Sequence, residues 1–181
     1  MREQIALLAS YNAWMNAKVY QTAGELPAHE LTADKGAFFG SVFGTLNHIA
    51  VGDRIWLRRF ADHPSRPSAL DPIRHLPLPA ALQEILFNDF DQLAAHRKML
   101  DTVIKQWAES LSEADLDHAF RYTNLKGIVT TKRFSSLVLH FFLHQTHHRG
   151  QVTTLLSQLG KDVGVTDLLA LVPDEVTPDA T

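Results

Sequence analysis

Four long segments of this chain repeat their apolar residues at the spacing of an α-helix. They cover about residues 2–24, 39–61, 80–110 and 134–159. Apolar residues at helical spacing form one face that must be buried against another element. Five prolines at positions 64–79 each lack a backbone N–H donor, so the stretch between the second and third segments is a long crossover. The pattern predicts an all-α four-helix bundle.

A different pattern occupies residues 118–133, where short β-prone runs flank Asn-Leu-Lys-Gly. Gly127 can adopt a positive φ, so the sequence predicts a small β-hairpin before the last long helix. That helix is expected to end at Gly160. A short apolar piece at 167–172 precedes a polar end that we expect to fray.

Composition excludes several functional classes. With 181 residues, 45% of them apolar and 20% charged, the chain is expected to form one domain over residues 1–181. A net charge of -3 and a pI near 6.3 argue against nucleic-acid binding. No apolar run approaches the roughly 18 residues of a membrane span, and the polar start is unlike a signal peptide. We therefore expect a cytoplasmic protein that binds neither nucleic acid nor membranes.

The chain has ten histidines and no cysteine. The absence of cysteine excludes disulfides, thiolate nucleophiles and thiolate metal ligands, so a metal would need histidine, carboxylate or water ligands. Four histidines lie on the last predicted helix, at His140, His144, His147 and His148. Residues three or four apart on a helix share a face, so several pairs of these rings could bind one ion.

These histidines fall on the apolar stripe of that helix, close to Leu137 and Leu155 when each residue is advanced by about 100°. A buried polar group without a partner costs several kcal/mol, so each ring must be bonded to something. Two interpretations remain open: core histidines bonded to neighbouring groups, or metal ligands. Spacing alone does not select which of the four would bind.

The second predicted helix offers a ligand in His48, and Gly52 leaves room beside its imidazole. Asp53 lies about 140° round the helix from His48, so we expect it to pair with an arginine instead. Asp89 and His96 occupy the apolar stripe of the third predicted helix. Either they support or extend the metal site, or they are polar residues at a solvated end of the bundle.

Two stretches together resemble the DinB/YfiT-like family of metal-dependent proteins, named after a DNA-damage-inducible member and unrelated to the polymerase of that name. They are Leu46-Asn-His48-Ile with Asp53 and Trp56, and His140 with His144-Gln-Thr-His147-His148-Arg149-Gly150-Gln151. Tyr11-Asn12-Ala-Trp14-Met-Asn16 and Asp167-Leu-Leu also resemble the family. The resemblance implies a four-helix bundle, often a homodimer, in which His48, His144 and His148 bind a divalent ion.

The same resemblance makes His140 and His147 supporting residues. By position on the helix, Gln151 is a further supporting candidate, whereas Arg149 points elsewhere and is expected to form a structural ion pair. Gly150 is expected to permit close approach of another helix.

Many members of the family have no established reaction. Relatives in the wider superfamily transfer or isomerise substrates with low-molecular-weight bacterial thiols such as bacillithiol or mycothiol. Three protein ligands leave a coordination position open, where a water or thiol would ionise more readily. Imidazole ligands suit zinc and nickel alike. We expect a metal-dependent hydrolase or thiol-dependent S-transferase acting on a small molecule; the alternative is a non-catalytic metal-binding stress-response module that acts as a dimer.

Overall fold

The computed structural model describes residues 1–174, which are mostly helical. The helices are α1 (Arg2–Gly24), α2 (Ala28–Thr32), α3 (Val42–Phe60), α4 (Asp71–Arg74), α5 (Phe90–Ser110), α6 (Glu113–Asp117) and α7 (Phe134–Gln158), and the strands are β1 (Ala119–Thr123) and β2 (Val129–Arg133). Short 3₁₀ turns lie at Ser68–Leu70 and Leu168–Leu171. No helix within residues 1–174 combines the length and the apolarity needed to cross a bilayer. The polar end expected to fray lies, from residue 175 onward, outside the described residues.

The predicted hairpin is confirmed. Strands β1 and β2 pair antiparallel, with Thr123 opposite Val129 and Ala119 opposite Arg133. Gly127 in the connecting turn has a φ of 78°, a left-handed conformation that costs glycine little. Gly160, directly after α7, has a φ of 72° and ends the helix as expected.

The third long helix begins later than predicted, at Phe90 instead of near residue 80. The Asp89 side chain accepts a hydrogen bond from the Gln92 backbone N–H at 2.9 Å and so caps the first turn of α5. Leu82 and Leu86 continue the helical spacing in the sequence, but both lie in the crossover of residues 61–89. Asp89 is exposed, as the alternative of a polar residue at a solvated end proposed.

The four long helices contact one another in a closed order. Helix α1 packs against α5 and α7, and α3 packs against α7 and α5. Each long helix therefore has two of the others as neighbours. Helix α3 is buried along most of its length, since fifteen of its nineteen residues are buried.

A buried polar layer separates two apolar clusters in the interior. One cluster surrounds Trp107 and Phe60, whose rings stack 5.1 Å apart, and the other includes Val19, Leu46 and Leu156. Five polar residues lie between positions of the two clusters on the long helices: Asn12, Asp53, Arg97, Gln145 and Arg149. Asn16 and the partly exposed Asp101 lie one turn further along α1 and α5 and join the layer, since Asn16 donates to Asp101 at 2.8 Å. Two guanidinium groups balance two carboxylates there, so the layer is close to electrically neutral.

Candidate metal centre

Three histidines from two helices meet at one point. His48 lies on α3, and His144 and His148 lie one turn apart on α7. One ring nitrogen of each lies within 4.8 Å of the other two, and the Nε2 atoms of His48 and His148 are 3.1 Å apart. His48 and His148 are buried, whereas His144 is partly exposed. Solvent therefore reaches the group from the side of His144.

Hydrogen bonds fix the tautomers of the two buried rings. His48 Nδ1 lies 2.8 Å from the Leu82 carbonyl oxygen, which can only accept, so Nδ1 carries the proton. His148 Nδ1 donates to Gln151 Oε1 at 2.8 Å. Gln151 Nε2 lies 3.4 Å from His147 Nε2, an orientation that keeps Oε1 towards His148. Both facing Nε2 atoms consequently present lone pairs.

Two lone pairs 3.1 Å apart repel each other unless a proton or cation lies between them. Tetrahedral zinc with bonds of about 2.0–2.1 Å holds two nitrogen ligands roughly 3.3 Å apart, close to the observed separation. Three imidazoles are a donor set that zinc and nickel accept. The group could therefore hold a metal ion, and the donor chemistry fits one.

Burial also keeps these rings neutral. It lowers the pKa of His48 and of His148 below the usual histidine value. Burial, together with the neighbouring His148 and His48, lowers the pKa of His144 to about 3. A ring must be neutral to bind a metal, so near pH 7 all three are in the required form.

Two further residues shape the group. The Phe39 ring stacks on His48 at a centroid distance of 3.7 Å and lies edge-on to His148 at 5.5 Å. A Cβ atom on Gly52 would lie 2.7 Å from His144 Cε1, so Gly52 makes room for the imidazole of His144 and not, as expected, for that of His48. The expected role of Gly150 is wrong, because no atom of another helix within residues 1–174 lies within 4 Å of the position of a Cβ there.

The other residues that the sequence suggested for the site lie outside the three-histidine group. His140 is exposed, with its ring 6.1 Å from His144 and 5.1 Å from Trp56. His147 is exposed and reaches the group through Gln151. His96 is buried against Phe87, at 4.9 Å between rings, and makes no hydrogen bond to the three histidines. Asp89, the helix cap, is likewise not part of the group.

Asp53 and Arg149 belong to the polar layer. The expectation that Asp53 pairs with an arginine is confirmed, because Arg97 donates to its carboxylate. The ion pair expected for Arg149 is not found within residues 1–174. Arg149 donates instead to neutral partners, Asn12 Oδ1 and, at 3.2 Å, Thr146 Oγ1.

Sequence reasoning missed two contacts to His48. The Leu82 carbonyl belongs to the backbone, so no residue type could reveal it. Phe39 had a weak signal, the pair Phe38-Phe39 between Gly36 and Gly40. Both glycines have positive φ, which bends the chain so that Phe39 returns onto α3.

Comparison with known proteins gives two findings. The model of the DinB family matches residues 1–176 of this chain. The chain is also similar to "Protein DinB" of Bacillus subtilis (strain 168), with 24% identity over 160 residues that cover 88% of each protein. No solved structure matches the chain significantly.

Proposed function

The chain belongs to the DinB family, as the resemblance predicted, and on that premise we propose that it is a metal-dependent enzyme in which His48, His144 and His148 hold one divalent ion. One observation carries the proposal: the Nε2 atoms of His48 and His148 face each other at 3.1 Å while both Nδ1 atoms donate elsewhere. A cation between the rings turns this repulsive pair into two bonds.

Each neighbour of the group has a definable task. The Leu82 carbonyl and Gln151 hold the protons on Nδ1, which directs Nε2 inward and makes each ring a better donor. Phe39 covers the face of His48 and keeps water from that side. When bound, the ion supplies a Lewis acid that lowers the pKa of a coordinated water or thiol. The partly exposed side at His144 is where a small molecule approaches.

We propose zinc or nickel as the ion, and hydrolysis or thiol-dependent S-transfer as the reaction. A histidine-only donor set supports the choice of metal. The chain has no cysteine, so a transferase of this kind takes a low-molecular-weight thiol from solution. We also infer that α1, α3, α5 and α7 form a four-helix bundle in a single domain, which the closed order of their contacts supports.

The metal proposal is tested by metal content and affinity of matched histidine variants. Purified protein dialysed against zinc or nickel should retain about one ion per chain, measured by elemental analysis. His148→Ala should lose that ion, because it removes an inward Nε2. His29→Ala, at an exposed histidine of α2 outside the group, is the control and should retain it. Full occupancy in His148→Ala would overturn the ligand assignment.

One observation favours the alternative of a non-catalytic dimeric module. Leu139 and Leu143 on α7 are 50% and 57% exposed, and they form an apolar surface beside the metal-binding turn. Analytical ultracentrifugation with and without zinc distinguishes the two functions. A metal-dependent dimer without hydrolytic or thiol-transfer activity would support the module, and a metal-loaded monomer would exclude it.

A further inference from the structure

A cavity of about 500 Å³ lies between α3, the crossover and strand β1. Its size is that of a small-molecule site. Its walls combine apolar and cationic side chains, including Ile55, Leu78, Tyr122, Arg58, Arg59 and Arg121. None of the three histidines lines it.

Arg59 is the unusual member of this wall. Its guanidinium lies over the Trp56 ring at 4.7 Å and near the Tyr122 ring at 5.1 Å. It is partly buried, and burial lowers its pKa. Within residues 1–174, no carboxylate forms an ion pair with it. A partly desolvated cation fixed on aromatic rings and facing a cavity is prepared to receive an anion.

The charges around the cavity do not cancel. Arg58 is compensated by Asp62, at 3.5 Å, which is the single acidic residue among the described residues that line the cavity. Arg121 is exposed on β1 and, like Arg59, has no ion pair within the described part of the chain. Two arginines without an ion pair in the described part of the chain therefore line a cavity that also has apolar walls.

We propose that this cavity binds a small organic anion, a carboxylate or phosphate on an apolar body, with Arg59 as the principal anion-binding residue. The planar guanidinium matches the paired oxygens of either group, and the apolar walls receive the rest of the molecule. The site is separate from the histidine group, although Trp56 lies 5.1 Å from His140 and His140 lies 6.1 Å from His144. The inference goes beyond the metal-dependent function and does not rest on it.

Binding is tested by isothermal titration calorimetry on metal-free protein at pH 7.5. The probes are phenyl phosphate and benzoate, with benzyl alcohol as the neutral molecule of similar shape. At least one anion should bind with a Kd below about 10 mM, and benzyl alcohol should bind at least tenfold more weakly, as expected when a charged hydrogen-bonding group is lost. The preferred anion identifies the acidic group. Failure of both anions to bind would overturn the proposal.

Variants locate the site. Arg59→Met should weaken binding of the preferred anion at least tenfold. Arg59→Lys should weaken it less, because lysine keeps the charge but lacks the planar guanidinium. Arg121→Met changes an exposed position of the hairpin, so the protein should still fold, and it should weaken binding of the anion about threefold. Arg2→Met, exposed at the start of α1, is the control. Equal affinity in wild type, Arg59→Met and Arg121→Met would overturn the proposal.

Discussion

Replacing Gly52 by alanine should separate metal binding from stability. The new Cβ would lie 2.7 Å from His144 Cε1, whereas ordinary van der Waals contact begins near 3.4 Å. The His144 ring must therefore move by about 0.7 Å, since α3 is held by burial along its length. Metal sites tolerate ligand displacements of only about 0.2 Å, so we expect affinity for zinc to fall about 10–100-fold.

The same substitution should change folding stability little. Alanine is favoured over glycine in a helix interior by about 0.8–1.0 kcal/mol. Displacing a partly exposed ring costs about 1–3 kcal/mol at most, at the lower end here because His144 can move towards solvent. The two contributions nearly cancel, so the free energy of unfolding of metal-free protein should stay within about 1 kcal/mol of wild type.

Gly150→Ala is the matched control. Gly150 is also inside a helix, yet in the described part of the chain no atom of another element lies within 4 Å of the position of its Cβ. It should gain about 0.8–1.0 kcal/mol in urea denaturation and keep full zinc affinity. Affinity is measured by competition with a chromophoric chelator. Wild-type zinc affinity in Gly52→Ala would refute the assignment of His144 as a ligand held in place by this contact.

Three further predictions concern other groups. Asp53→Asn should lower the free energy of unfolding by about 3 kcal/mol, because it leaves the buried Arg97 without its nearest carboxylate. Burial, together with nearby arginines, lowers the pKa of His96 to about 4. In the unfolded chain His96 is protonated below about pH 6.5, whereas in the folded chain it is protonated only below about pH 4. Stability should therefore fall by about 2 kcal/mol between pH 7 and pH 5 on account of His96, and His96→Phe should remove that part of the loss. Gln151→Leu deprives His148 Nδ1 of its acceptor and should weaken zinc binding about tenfold.

Each of these predictions has a control or a result that would contradict it. Asp117→Asn removes a carboxylate from an exposed pair with Arg133 and should cost under about 1 kcal/mol in the same urea denaturation as Asp53→Asn. A wild-type pH slope in His96→Phe, measured by urea denaturation at pH 7 and pH 5, would show that His96 is not the group responsible. Unchanged chelator competition in Gln151→Leu would show that the tautomer of His148 is fixed by other means.

The long helices could be predicted from the sequence because each must bury one apolar face. Helices α1 and α7 follow the predicted bounds closely, and the hairpin lies where its turn residues placed it. Helix α5 was extended too far towards its start, since Leu82 and Leu86 mimic the helical repeat. In the folded chain both leucines belong to the crossover. Tertiary contacts of its backbone determine its conformation there, and not the helical spacing of its apolar residues.

The three-histidine site could be predicted only in part from the sequence. Spacing left several histidine pairs on α7 equivalent, because which pair faces α3 depends on how the two helices are rotated against each other. In the structure it is His144 and His148 that lie beside His48. The polar layer could not be predicted from the sequence, because each of the four helices contributes only one or two of its members. The arginine-lined cavity has no sequence pattern, since its walls come from three separate segments.

The hydrogen bond from His48 to the Leu82 carbonyl has a consequence for mutagenesis. A carbonyl has no side chain to delete, and the Leu82 side chain itself is 43% exposed. Replacing Leu82 by alanine would therefore have little effect on metal binding, although the backbone at this position orients a buried histidine. Sequences can diverge freely at such a position as long as the path of the chain is kept, so variability there says nothing about its importance.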